Sequence, residues 1–214
     1  MLTVLYFILA GLFAFLTWQA VQANRKVRSS YTLLLLLVLA GLVYDVFIIA
    51  LGRFVGEGNV LKTLNAGRFI IHALVTPAMI IFGFGVLRKA GVGWAQSRTT
   101  HIVVCVFVTL LIALGAYSDI FRLDLQARVV ADTLRYVNEG GIKGPPIPAV
   151  LSILFLIAAG ISLWRKTGWQ WLTWGAVVMF IAAGMGMGDL FYIGSLGEVA
   201  LGFANVYTAK KFLS

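Results

Sequence analysis

Tyr44-Asp45-Val46-Phe47-Ile48-Ile49-Ala50-Leu51-Gly52-Arg53 closes one apolar run, and Arg68-Phe69-Ile70-Ile71-His72-Ala73-Leu74-Val75-Thr76 opens the next. A short segment holding Glu57 and Lys62 joins them. An ionisable side chain inside a hydrocarbon span is costly unless it faces protein or water, so Asp45 and His72 read as functional by default. They sit on facing ends of consecutive predicted helices. That pairing decides the fold reading, because both runs must be membrane helices for their polar groups to need each other.

The rest of the chain supports a membrane setting. Its 214 residues are 61% hydrophobic and only 12% charged, about half the charge of an ordinary soluble domain. No polar stretch is long enough to fold as a second domain, so one all-α bundle is expected across residues 1–214. At about 20 apolar residues per crossing, hydropathy divides into seven helices. They fall near Leu2–Gln22, Tyr31–Gly52, Arg68–Leu87, Thr100–Ser118, Ile147–Trp164, Trp169–Gly188 and Phe191–Ala209. Only Gly184-Met185-Gly186-Met187-Gly188-Asp189 separates the last two. The first run lacks a basic segment before it and a small-residue cleavage site, and reads as a retained anchor.

The net charge of +9 sorts by loop rather than forming one patch interleaved with aromatics, which argues against a nucleic-acid partner. Arg25, Lys26, Arg28, Arg88, Lys89, Arg98, Arg165, Lys166, Lys210 and Lys211 fall in alternate loops with no acid among them. By the positive-inside rule those loops are cytoplasmic, which puts the N terminus outside and the C terminus inside. Trp18, Trp94, Trp164, Trp169 and Trp171 lie at the same end, with Trp174 a turn deeper, as an interfacial belt. The single Cys105 lies in an apolar run and offers no disulfide framework.

On the outer side, Leu123, Ala127, Val130, Leu134 and Val137 recur at helical spacing, which predicts a short amphipathic helix over 123–138, ended by Gly140-Gly141. Val4-Leu5 to Trp18 matches Val150-Leu151 to Trp164, and Asp45-Val46-Phe47-Ile48-Ile49 matches Asp189-Leu190-Phe191-Tyr192-Ile193 at nearly the same offset. Those matches point to a three-plus-one-plus-three repeat, a plan used by transporters. The plan resembles small sugar transporters of the SWEET type, although the prolines of their repeats are missing apart from Pro77 and Pro148. The Asp45 and Asp189 segments are similar to the paired aspartates of membrane lysoplasmalogenases, in the opposite order, and no residue roles are carried over.

A rise of 1.5 Å per residue puts Asp45 and Glu198 roughly 10 Å, and His72 about 6 Å, inside the outer ends of the expected helices. Arg68, His72 and Thr76 form one helical stripe; Ser195, Glu198, Gly202 and Asn205 form another. The expected site is therefore an outer-half pocket with Asp45, His72 and Glu198 as its chemical groups. Tyr44, Arg53, Arg68, Tyr117, Asp189, Tyr192 and Asn205 would contact a lipid or small-molecule ligand there.

Three uses compete. The first is an intramembrane enzyme that hydrolyses a lipid or amphiphile by acid–base or metal-assisted chemistry, which is the reading preferred from the residue types. The second is a proton-coupled or small-solute transporter. The third is a non-catalytic ligand-binding or assembly subunit whose polar cluster fixes helix packing. No HExxH, HxxxH or cysteine ligand motif is present, so a divalent metal is not the first expectation. No lysine lies in mid-span of the last helix for a retinal linkage.

Overall fold

A computed structural model of the chain describes all residues except Met187, which lies inside the Gly184–Asp189 punctuation; the described residues are 1–186 and 188–214. Eight α-helices account for most of them: α1 (Leu2–Lys26), α2 (Ser30–Val55), α3 (Asn59–Val75), α4 (Ala78–Lys89), α5 (Arg98–Ala116), α6 (Ile147–Thr167), α7 (Trp171–Met185) and α8 (Phe191–Phe212). The fold is all-α, 79% helical, apart from one hairpin of β1 (Leu125–Val130) and β2 (Thr133–Asn138).

Among the described residues, six helical stretches are long and apolar enough to cross a membrane, with α3 and α4 counted as one. These stretches suit a multi-pass membrane protein. The 15-residue α7 is shorter; at 1.5 Å per residue it rises about 22 Å, less than a hydrocarbon core of about 30 Å. α1, α2, α6 and α8 outrun their expected boundaries, chiefly in their last turns, where Arg, Lys or Thr residues continue the helix after hydropathy has fallen, whereas α5 begins two residues early and ends two short.

The third expected helix changes most. It begins at Asn59, nine residues before Arg68, and is interrupted at Thr76-Pro77. Asn59 to Gly67 holds Lys62, Thr63 and Asn65, so its hydropathy is low, yet it is helical because one face packs under the hairpin. Pro77 has no N–H to donate into the helix, and the chain instead turns tightly, with Met79 N–H bonding Thr76 C=O and Ile80 N–H bonding Pro77 C=O, both at 3.1 Å.

The helices pack in chain order around a closed ring. α1 lies against α2 and α8, α4 against α2, α5 and α6, and α7 between α6 and α8, while α4 also reaches α8 across the interior. Tyr6, Phe13, Phe82 and Phe84 are fully buried in this interior. The ten basic loop residues named above all fall at one end of the ring, opposite the hairpin.

The segment expected as an amphipathic helix over 123–138 is instead the antiparallel hairpin, paired from Leu125↔Asn138 to Val130↔Thr133. Val129, Val130, Thr133 and Val137 favour extended backbone, and the strands gain a ladder plus a buried seat for Leu125 and Tyr136. Its two-residue loop, Ala131-Asp132, puts Ala131 at φ 51°, a position where hairpins favour Asn or Gly. Asp132 offsets that strain by holding the start of α1. Its carboxylate pairs with the Met1 amino group at 2.6 Å and accepts from Leu2 N–H at 2.7 Å, with Arg53 Nη1 at 3.5 Å. The amino group, aided by the Leu2 and Thr3 N–H donors, holds the Asp132 carboxyl well below the usual carboxylate range.

The hairpin is seated on glycine. A Cβ at Gly52 would lie 1.8 Å from the carbonyl oxygen of Leu134, a backbone atom that cannot swing aside. Gly52→Ala is expected to lift the hairpin and cost about 1–3 kcal/mol, the usual range for overpacking. Gly11→Ala, which meets nothing within 4 Å, is expected to be neutral or stabilising through helix propensity. Thermal unfolding of both variants in detergent checks the pair; equal melting would mean that the hairpin does not depend on this contact.

Candidate functional site

Asp45 lies ten residues before the end of α2 and is 5% exposed. A carboxylate so buried needs a partner, and Arg68 of α3, itself 8% exposed, donates from Nε to Asp45 Oδ1 at 2.8 Å. Arg68 Nη1 donates to Asn65 Oδ1 at 2.7 Å, one helical turn back. The same Asn65 oxygen accepts the Tyr136 N–H of β2 at 3.2 Å, and Asn65 Nδ2 donates to Leu61 C=O at 2.8 Å. Tyr136 in turn binds Gly58 through its hydroxyl. One polar chain therefore runs from the hairpin through α3 to α2, with each buried charge paired.

His72 sits one turn beyond Arg68, with Nε2 3.4 Å from Asp45 Oδ1. Its Nδ1 lies 3.3 Å from Thr76 Oγ1, so the two ends of the imidazole face a carboxylate and a hydroxyl. The ring also borders a cavity of about 90 Å³, room for a few water molecules. Thr76, Glu198 and Asn205 are the other polar groups of its wall; Leu35, Leu39 and Ile153 are among the apolar ones.

Glu198 and His72 thus share a pocket, whereas Asp45 stands behind His72 and does not line it. The Glu198 carboxylate makes no hydrogen bond or ion pair among the described residues. Asn205 is 2% exposed, and its side-chain oxygen has no partner. A buried unpaired amide oxygen and an unpaired carboxylate lining one pocket mark a place where a ligand or water belongs.

The pocket lies deeper than the outer half expected from the sequence. His72 is thirteen residues beyond the start of α3, a rise of about 20 Å instead of 6 Å, because the helix begins at Asn59. Most pocket residues lie well inside their helices, Leu35 to Leu42 on α2, Thr76 and Met79 at the break, Met179 on α7, and Glu198 to Asn205 on α8, while Ala149 and Ile153 come from the first two turns of α6. The pocket is lined by α2, α3, α4, α6, α7 and α8.

Other expected residues are placed elsewhere. Arg53 is exposed and faces Asp132, while Asp189 pairs with Arg128 of the hairpin at 3.0 Å. Tyr117 is 53% exposed in a single π-helical turn after α5, beneath Arg122. Tyr192 packs against Phe191, and Tyr44 donates to Leu64 C=O at 2.8 Å, bracing α2 on α3. None of these five borders the pocket. Asn65 and Tyr136 were not singled out in the sequence; the position of Asn65 three residues before Arg68 is the only signal for it. Tyr6 was missed for the same reason: its hydroxyl meets Ser195 Oγ at 3.2 Å across the bundle.

Among the described residues, no three His, Cys, Asp or Glu side chains are grouped closely enough to hold one metal ion. The chemistry on view is that of an acid, an imidazole and two neutral polar groups. No known family model matches the chain, and no curated protein is significantly similar to it.

Removing one member of a buried ion pair strands the other charge, at a cost of about 3–5 kcal/mol. Arg68→Met is expected to lose that much stability, and Asp45→Asn combined with Arg68→Met to recover most of it. Denaturant or thermal unfolding in detergent measures both. A double variant no better than Arg68→Met would show that Arg68 acts mainly through Asn65 and the hairpin.

Proposed function

We propose that the protein is a multi-pass membrane carrier that binds a small, largely apolar solute with one cationic or hydrogen-bonding group, coupled to protonation of Glu198. The observation that carries this reading is the unpaired Glu198 carboxylate in a pocket at mid-height, at the Thr76-Pro77 break, between two triplets of crossings. Carriers place their sites near the midplane, where a discontinuous helix frees backbone groups and two halves can move against each other. The protonated acid suits an apolar pocket; the carboxylate form needs a cation or donor to replace the missing partner. Binding and deprotonation are therefore linked, with Asp45 and Arg68 holding His72 in place as a neighbour of fixed geometry.

The orientation belongs to the same reading: seven crossings, the hairpin and N terminus outside, and the ten basic loop residues in the cytoplasm. A cysteine at Ser30 is expected to resist impermeant thiol reagents added to intact cells. Labelling from outside would reverse the orientation.

The coupling is tested in proteoliposomes loaded with a pH-sensitive dye and exposed to a panel of small organic cations. Wild type is expected to move protons with at least one cation. Glu198→Gln, which keeps shape and removes titration, is expected to retain solute exchange and lose proton movement. Proton movement unchanged in Glu198→Gln rejects the coupling role.

One observation favours a second reading. Asp45 contacts His72 on one side of the imidazole while Glu198 stands unpaired across the pocket, an arrangement suited to acid–base hydrolysis of an amphiphile. Water would give a proton to Glu198 as its oxygen attacks an ester carbonyl carbon, and protonated His72 would give one to the leaving alcohol oxygen as the ester C–O bond breaks. Product formed from a membrane lipid extract by wild type, and lost in both Asp45→Asn and Glu198→Gln, selects this reading over transport.

A further inference from the structure

The α7–α8 face at the basic end carries a second cavity, of about 520 Å³, far from Glu198 in chemistry and several times larger than the pocket around it. Its construction follows from two matched spacings. Trp171, Trp174, Gly175 and Val178 recur at i, i+3, i+4 and i+7 on α7; Ala200, Phe203, Ala204 and Tyr207 recur identically on α8. Small residues form the floor: a Cβ at Gly175 would lie 2.3 Å from that of Ala204, so the helices touch there. Large aromatic rings stand as walls on both sides, and Trp171, Trp174 and Tyr207 remain about half exposed. The result is an open apolar trough rather than a ring of isolated interfacial anchors.

Two cations border it. Lys211 Nζ lies 4.4 Å from the ring centre of Trp169 and Lys210 Nζ 5.5 Å from that of Tyr207; both rings line the trough. Lys210 also donates to Gln19 of α1, which holds it beside the trough. Trp169 is fixed by its Nε1–H to Thr208 Oγ1 at 2.9 Å. No acid occupies this end of the bundle. An apolar slot that ends in two positioned ammonium groups matches a ligand with a long apolar tail and an anionic head.

We propose that the trough binds one anionic phospholipid, with an acyl chain between α7 and α8 and the phosphate at Lys210 and Lys211. The site is independent of the proposed carrier pocket.

The test uses the whole protein purified in detergent and titrated with phosphatidylglycerol or phosphatidylcholine of identical chains, with retained lipid counted by native mass spectrometry. Wild type is expected to retain one phosphatidylglycerol, with a preference over phosphatidylcholine on the order of tenfold from two interfacial lysines. Lys210→Gln with Lys211→Gln is expected to bring that preference close to one, and Ala200→Phe, which fills the trough, to abolish retention of both lipids. Equal retention of the two lipids by wild type overturns the proposal without recourse to any variant. So does undiminished phosphatidylglycerol binding in a folded Ala200→Phe protein. A dimer that excludes lipid and is broken by Ala200→Phe would assign the trough to a second copy of the chain instead.

Discussion

The ion pair of Asp45 with Arg68 is the constraint on which the arrangement of the first half depends. Two opposite charges buried at 2.8 Å repay their desolvation only when the remaining donors and acceptors are met. Here Asn65 meets the second arm of Arg68 and passes the constraint to the hairpin through the Tyr136 N–H. α2, α3 and β2 are therefore fixed by one connected set of bonds, and loosening any member leaves a buried polar group unsatisfied. That is a costly way to join two helices that apolar packing would also join. What it provides beyond packing is a fixed imidazole, His72, held against Asp45 at the wall of the central pocket.

The Thr76-Pro77 break lies at the level of that pocket. His72, Thr76 and Met79, at i, i+4 and i+7, keep one face across it and all line the cavity, while α4 goes on to pack against α5 and α6. Proline makes the break by withholding one N–H and by its clash with the preceding turn. The polar residues along α3 thus reach the interior at the level where α8 presents Glu198 and Asn205, so two stripes from distant parts of the chain meet.

Much of this was legible in the sequence, and the misses have physical causes. Apolar runs located the long helices because a bilayer demands long stretches of one composition. The nearness of Asp45 to His72 was legible because ionisable groups in adjacent apolar runs need polar company, whereas Arg68 was grouped with the ligand contacts. The start of α3 was not: its first turns are polar and are covered by the hairpin instead of lipid, a tertiary fact. The hairpin itself was hidden because Leu123, Ala127, Val130, Leu134 and Val137 satisfy a helical period, and Ala131-Asp132 lacks the Asn-Gly signature of a tight turn. Arg53, Tyr117 and Asp189 were grouped with the pocket from their nearness in height. Height alone does not bring side chains together, and the hairpin takes Arg53 and Asp189 for its own contacts.

The two walls of the central pocket differ in kind, and that difference bears on function more than any one residue does. On the α3 side, the groups behind His72 are bonded: Arg68 to Asp45 and Asn65, Asn65 to the hairpin, His72 between Asp45 and Thr76. On the α8 side, Glu198 has no partner and the Asn205 oxygen is orphaned, although Asn205 is almost wholly buried. A structural polar cluster would be expected to satisfy both sides, since an unpaired buried polar atom costs about 1–3 kcal/mol. α8 carries that cost where it packs closely on α7 through small residues, Gly197 against Ala182 and Gly175 against Ala204. A fixed wall opposite one whose polar groups are unmet is the arrangement in which a ligand, a proton or ordered water changes the energy of α8 relative to the rest. The proposed coupling of Glu198 to helix position rests on where hydrogen bonds are missing, and the same argument applies to a carrier and to an acid–base enzyme.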